Sequence, residues 1–360
     1  MNRNIALRFF ATAALIAAHQ ASAESPPQVE HIETIINAKP IERTPPKYPV
    51  DAARKSQEGW TRLSFVIDKE GNVVDPIIQD SSGVKSIDKE ALKAIKNWKY
   101  SPAMQNGEAI EQCQMQVQLD FKLSGEVGVT RKFMNAYRYI MEAIKENKLD
   151  DAQQKLAEFA ESQLWNMTES AYFYFADAMY ANKINDKKRE LSSIKRALAA
   201  GDDALNNQEK LLYMLERQFV LLTSATQYAD ALATFAKIKE QKSAEQQILY
   251  YQPYADKIQG LLHSDEPMVR HAQINDDGFM YHTLSRDSFS LALEQGELDE
   301  VQIRCANKRS RFTVAEQAEW KIPSSWGQCT IFVTGSPNSE FQVIELGSYN
   351  GQIQITTPTP

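Results

Sequence analysis

Three cysteines and five histidines are the residues of this 360-residue chain best suited to covalent or metal chemistry. Their spacing decides what they can do. Arg270-His271 and Met280-Tyr281-His282 lack a third ligand at metal-site spacing. Gly327-Gln328-Cys329 has the outline of a thiol nucleophile, but Cys305 precedes it by one loop length. In an oxidising compartment two such thiols pair. Val301-Gln302-Ile303-Arg304-Cys305 and Cys329-Thr330-Ile331-Phe332-Val333 both alternate in polarity. Neighbouring strands joined by a Cys305–Cys329 disulfide are therefore expected. Cys113 is the odd cysteine, and its place on an apolar strand face predicts a buried thiol. The chain carries no Gly-x-Ser-x-Gly, no phosphate-cradling glycine loop and no zincin motif. A non-enzyme follows, with no catalytic residue, no metal, no cofactor and no small-molecule substrate.

Several blocks must position these residues. A basic start, an apolar run of about 14 residues and Ala21-Ser22-Ala23 have the layout of a secretory signal over residues 1–23. Its removal takes Arg3 and Arg8 and moves the formal charge from −7 to −9. The expected location is the periplasm, with no stable membrane span after cleavage. That acidic balance argues against nucleic acid as a partner. Residues 24–46 contain Pro26, Pro27, Pro40, Pro45 and Pro46 and predict a tether.

Residues 47–123 predict a small α/β unit. Leu63, Phe65 and Ile67 alternate with Arg62, Ser64 and Val66, the pattern of a half-buried strand. Asp68-Lys69-Glu70-Gly71-Asn72 is a turn, and residues 73–79 return as the second strand of a hairpin. Ser86 is placed to cap a helix whose inner face is Ile87, Ala91, Ala94, Ile95 and Trp98. The cleanest alternation in the chain is Cys113, Met115, Val117, Leu119 and Phe121 against Gln114, Gln116, Gln118 and Asp120, giving one buried and one wet face.

An ordered set runs through this block: Pro46-Lys47-Tyr48-Pro49, Glu58-Gly59, Val66-Ile67-Asp68, Glu70-Gly71-Asn72-Val73, Trp98-Lys99-Tyr100-Ser101-Pro102-Ala103, then Gly107 and Phe121-Lys122-Leu123. It resembles the C-terminal domain of TonB, the periplasmic energy transducer of Gram-negative bacteria. The resemblance implies a three-stranded antiparallel sheet with two helices. It also implies capture of an extended outer-membrane receptor segment by addition to a sheet edge, and so a link to TonB-dependent transport. On that basis Gln114, Gln116, Val117, Gln118 and Asp120 would offer the edge, with Tyr48 and Pro49 close to the partner. TonB keeps an uncleaved anchor and a long Pro-rich arm; here a signal layout and a tether of about 23 residues stand in their place.

Residues 130–262 are helical in pattern. Leu149-Asp150-Asp151-Ala152, Ile184-Asn185-Asp186-Lys187 and Tyr228-Ala229-Asp230-Ala231 recur as similar shapes, resembling degenerate tetratricopeptide helix pairs. Such pairs offer a concave surface to a partner. Tyr172-Phe173-Tyr174-Phe175 is expected to be packing. Residues 267–356 predict a small all-β, sandwich-like domain, with Trp320 and Trp326 packed against the disulfide. The expected whole is a multidomain α+β protein: a periplasmic adaptor for envelope proteins. Two alternatives remain open, a transducer still anchored by its N-terminal segment and an envelope enzyme sited around His271 or His282.

Overall fold

The computed structural model describes residues 35–123, 128–162, 166–201, 205, 207–314 and 318–347. The expected signal, the tether ahead of Ile35, Asp202 and Asp203, and the tail after Gly347 lie outside the described residues.

The first domain begins with β1 (Ile35–Ile36) and β2 (Lys39–Glu42), followed by α1 (Val50–Arg54), β3 (Gly59–Ile67), β4 (Val73–Ser81) and α2 (Lys85–Ile95). It ends with β5 (Lys99–Ser101), β6 (Ala103–Gln105), β7 (Glu108–Ile110) and β8 (Gln112–Phe121). Its main sheet is antiparallel with order β4-β3-β8. At the β3–β4 turn Asp68 accepts from the main-chain N–H groups of Glu70 and Asn72. Gly71 has φ +80°, and a Cβ there would lie 1.9 Å from the Tyr100 carbonyl oxygen. Only glycine meets both conditions.

Three expectations change here. The stretch after Ile35 is not a free tether: β1 pairs with β6, β2 pairs with β5, and Arg43 lies over the Trp98 and Tyr100 rings. Pro40 fits because β2 is an edge strand and needs no donor on that side. Helix α2 starts at Lys85 after Val84, which supplies no side-chain cap, so Ser86 sits inside the first turn. And β3 is buried on both faces rather than half-buried. Leu63, Phe65 and Ile67 pack on α1 and α2 with Ile87, Ile95 and Trp98. Trp60 leaves from the other side into a cluster with Met167, Ala171 and Phe175 of the next domain.

That domain is a helical layer: α3 (Arg131–Lys145), α4 (Leu149–Ser162), α5 (Met167–Lys183), α6 (Lys187–Ala199), α7 (Gln208–Ser224), α8 (Tyr228–Glu240) and α9 (Glu245–Leu262). Thr130, Asn166, Asp186 and Asn207 each cap a helix by accepting the N–H three residues on. The three recurring sequence shapes mark the turns inside α3–α4, α5–α6 and α7–α8. Asn147, Asn185 and Thr226 are left-handed there, with φ between 57° and 60°. Each turn closes with the same helix-terminating bond, Lys148 N–H to Ala143, Asp186 N–H to Ala181 and Gln227 N–H to Leu222. The Tyr172-to-Phe175 stretch packs between helices, with Phe173 and Phe175 buried.

Among the described residues, the third domain has eight strands: β9 (Met268–Gln273), β10 (Phe279–Thr283), β11 (Ser288–Gln295), β12 (Leu298–Cys305), β13 (Arg309–Thr313), β14 (Glu319–Lys321), β15 (Cys329–Gly335) and β16 (Glu340–Glu345). They form two antiparallel sheets, β10-β15-β12-β13 and β14-β11-β16-β9. One apolar cluster fills the space between them, drawing Phe289, Phe341 and Trp320 from one sheet and Val301, Ile303 and Ile331 from the other. Cys305 lies opposite Cys329 in the β12–β15 register and the two form a disulfide, with Trp326 packed on the same cluster. A loop of 24 residues predicts a loss of about 3–4 kcal/mol of third-domain stability on reduction or on Cys329→Ser, in the chain-entropy account. Denaturant titration followed by near-ultraviolet circular dichroism of the tryptophans checks this; a loss below about 1 kcal/mol would contradict that account.

Candidate partner-binding site

The main sheet of the first domain has two edges, and they differ in what they could accept. The β4 edge is interrupted: Pro76 has no N–H to donate, Asp75 is left-handed at φ +47°, and its register with β3 shifts twice. Such irregularities protect an edge from further pairing. Strand β8 is ten residues long and contains no proline. Its one irregularity lies between Gln112 and Met115, and from Met115 to Phe121 it pairs residue by residue with β3. Among the described residues, no strand pairs along its outer side.

The seven residues expected to meet a partner divide by position. Gln116 and Asp120 are exposed, and Asp120 stands 3.6 Å from the Lys122 ammonium. Val117 is half-buried, opposite Leu63 and against the first-domain core. Gln118 is engaged within the chain: its amide donates to the Ala199 carbonyl at 2.7 Å and its oxygen accepts from Arg62 at 3.0 Å. Gln114 donates to the carbonyls of Arg304 and Gln328, at 3.0 and 2.9 Å. Tyr48 lies at the far end of β8, edge-on to Phe121 at 5.9 Å, and its hydroxyl donates to the Gln57 carbonyl. Burial, and then the nearby Glu58 carboxylate, raise the Tyr48 phenol above its usual range. Pro49 is buried as the residue preceding α1.

The irregularity at the start of β8 also moves Cys113. It is buried but belongs to no apolar cluster of the first domain; it sits beside Glu111, near Arg304 and Arg309. Burial, then the Glu111 charge, push its thiol up to about 12.

Sequence reasoning missed a cleft of about 480 Å³ between the first domain and the helices. Leu156, Met167 and Phe173 supply its apolar wall, and Glu58, Asp177 and Arg196 its charged one. Asp177 is satisfied by Arg189 and by the Ser193 hydroxyl. Both Glu58 oxygens are taken by main-chain N–H groups, of Leu123 and Met167. Arg196 is held more loosely: it donates to Tyr174 at 3.3 Å, and its Nε, 3.7 Å from Asp80, is buried without a hydrogen-bond partner among the described residues. These residues come from segments well separated in the chain, Glu58 on one side and Leu156 to Arg196 on the other, so no local spacing could have exposed the cleft.

The histidines of the third domain are differently placed. His282 is 2% exposed, with Nδ1 2.6 Å from Arg270 and Nε2 2.8 Å from Glu345. Arginine only donates, so Nδ1 accepts and Nε2 donates to Glu345. His271 faces solvent, 3.4 Å from Glu294. Cys329 is in the disulfide. His282 and His271 are thus each engaged with a carboxylate, of Glu345 and Glu294. Among the described residues, no group of three or more His, Cys, Asp or Glu could hold a metal ion, and no helix is long and apolar enough to cross a membrane.

Residues 44–123 match the family model described as the Gram-negative bacterial TonB protein C-terminal. Protein TonB of Vibrio cholerae is 34% identical over 80 residues, which is 22% of this chain and 32% of that protein. Protein tonB2 of Pseudomonas aeruginosa is 34% identical over 88 residues, 24% of this chain and 32% of that protein. The solution structure of the Pseudomonas aeruginosa TonB C-terminal domain is 25% identical, covering 25% of this chain and 91% of that one, with a TM-score of 0.23. The chain spans about a third of the length of these curated relatives.

Proposed function

We propose that this chain is a non-enzymatic envelope adaptor whose first domain captures an extended protein segment on the outer edge of β8. The observation that carries this reading is the contrast between the edges: β4 is blunted by Pro76 and a left-handed Asp75, whereas β8 runs unbroken from Met115 to Phe121. An added strand gains main-chain hydrogen bonds worth about 0.5–1.5 kcal/mol net each, and the exposed side chains of Gln116 and Asp120 would select among segments. The match of residues 44–123 to the TonB family supports a partner in the Gram-negative envelope, such as an outer-membrane receptor segment. Export through a signal at residues 1–23 would put the adaptor in the periplasm. The helix pairs, read as degenerate tetratricopeptide repeats, would hold a second protein along the cleft of Leu156, Phe173 and Arg196.

Photocrosslinking probes at Gln116 and Asp120, with Gln79 on β4 as control, test this in native envelopes. The expected product joins the two β8 probes, and not Gln79, to one extended peptide of an envelope protein. Its mass also reports the adaptor's first residue, expected to be Glu24. Equal crosslinking from β4, or none from β8, would remove the strand-addition reading; a retained N-terminal segment would favour the anchored transducer.

A further inference from the structure

The leading end of the β8 edge is already occupied by the chain's own third domain. The Cys113 N–H donates to the Ala306 carbonyl at 2.9 Å, the kind of main-chain bond a partner strand would make. Next to it, the Gln114 amide reaches the carbonyls of Arg304 and Gln328. Ala306 lies in the turn between β12 and β13, and that hairpin is anchored by charges. Arg309 places Nε and Nη2 on the two Glu111 oxygens, at 3.0 and 2.9 Å. Arg309 and Arg311 converge on the Asp75 carboxylate, and Arg304 donates to the Asp75 main-chain oxygen. Glu111 precedes β8 and Asp75 lies in β4, so the hairpin grips the first-domain sheet from both sides of its central strand.

We infer that the β12–β13 hairpin is a latch, which closes the β8 edge at Cys113 and Gln114 and must swing away before a segment can pair along the full strand. This rests on the strand-addition reading for its purpose but not for its geometry. The latch is built to open. One main-chain bond and one glutamine hold the strand itself, and the ion-paired anchors are partly exposed, at 25% for Arg309 and 31% for Asp75, whereas Arg304, which holds the Asp75 main-chain oxygen, is buried. Partly exposed ion pairs are individually weak and weaken further with salt. The hairpin's main-chain and glutamine bonds reach Cys113 and Gln114, while farther along the strand Gln118 is held by Ala199 of α6, so a short segment could dock on Met115 to Phe121 first and a longer one would displace the hairpin.

Cys113 reports the latch without any partner, because it is the single free cysteine and lies under the hairpin contact. The experiment measures N-ethylmaleimide labelling of the full oxidised chain at fixed pH, with hydrogen exchange followed in parallel. Asp75→Asn is the conservative variant, since asparagine accepts the left-handed backbone at this position; Arg309→Gln and the double variant accompany it. Labelling is expected to rise at least tenfold in the double variant. Amides of Gln112 to Gln114 should exchange faster while those of β11 and β16, in the opposite sheet, keep their wild-type rates. Labelling within twofold of wild type would overturn the latch. So would faster labelling that tracks exchange of the whole third domain, because that would be unfolding and not opening. The probes at Gln116 and Asp120 lie beyond the hairpin, so failed crosslinking there with intact labelling behaviour would refute the adaptor reading and leave the latch standing.

Discussion

Arg286→Ala should cost on the order of 3–5 kcal/mol of stability, the largest single effect expected in this molecule. Arg286 is 3% exposed and joins the end of the helical layer to the third domain. The last carbonyls of any helix have no partner within it. Here the guanidinium supplies them: Nη2 donates to Leu261 and Ser264 at 2.6 and 2.9 Å, Nε to Leu262 at 3.3 Å, and Nη1 to Glu266 at 2.6 Å. Burial pulls the Arg286 pKa down, while Glu345, Asp265 and Glu266 pull it up. Glu345 closes the arrangement by accepting the main-chain N–H groups of Ser285 and Arg286, both at 2.7 Å, and His282 Nε2. Alanine would leave several carbonyls around the guanidinium without their donor and would remove the positive charge beside Glu345, whose carboxylate keeps its three hydrogen-bond donors. Arg286→Lys should recover little, because one ammonium cannot span the fork of acceptors. Urea titration read separately on helix content and on the tryptophan signal checks this. A loss under about 1 kcal/mol would show that water replaces the guanidinium. Lys145→Ala, which breaks an exposed pair with Glu142, should change nothing measurable.

Arg286 was invisible in the sequence for the same reason that other parts were plain. Local chemistry is written locally. The alternation from Cys113 to Phe121, the Asp68-to-Asn72 turn and the three helix-pair turns each need only residues close in the chain, and spacing exposes them. The cysteine pair was legible because alternation on both sides of it implied two strands. What the pattern hid was the second layer of burial. Arg62, Ser64 and Val66 alternate with the core residues of β3 as a solvent face would, yet Ser64 and Val66 are buried, and Trp60 before them packs on Met167 and Phe175 more than 100 residues later. The charged anchors of the hairpin, Asp75, Glu111 and Arg309, look like ordinary surface residues until the fold brings them together. An edge strand is likewise recognisable by period, but whether its edge is open depends on tertiary contacts that period does not encode.

Glu58→Ala is expected to loosen the first domain from the helices, at a cost of roughly 2–5 kcal/mol for two orphaned buried donors. Glu58 is 8% exposed and its carboxylate bridges two chain segments. Oε1 accepts from Leu123 N–H at 2.8 Å, just past β8, and Oε2 accepts from Met167 N–H at 2.9 Å, in the first turn of α5. A first-turn N–H has no partner in its own helix and sits at the positive end of the dipole, so a carboxylate suits it twice over. Asn166 and Glu169 already serve other groups, the N–H of Glu169 and the N–H of Thr130, and cannot take over. Glu58→Gln keeps one acceptor but turns an NH₂ toward the second N–H, so its loss should fall near half that of alanine. Trp60, two residues along, gives the readout. It is 1% exposed in the wild type because it is packed among α5 side chains. Separation of the two domains should shift its emission to longer wavelength and split one calorimetric transition into two. The substitution should also disturb the cleft that Glu58 helps line, weakening any partner held there before it affects crosslinking from Gln116. If Trp60 emission stays unchanged and melting remains a single transition within about 1 kcal/mol of wild type, the carboxylate does not couple the domains, and the apolar contact of Trp60 with Met167 and Phe175 carries that junction alone.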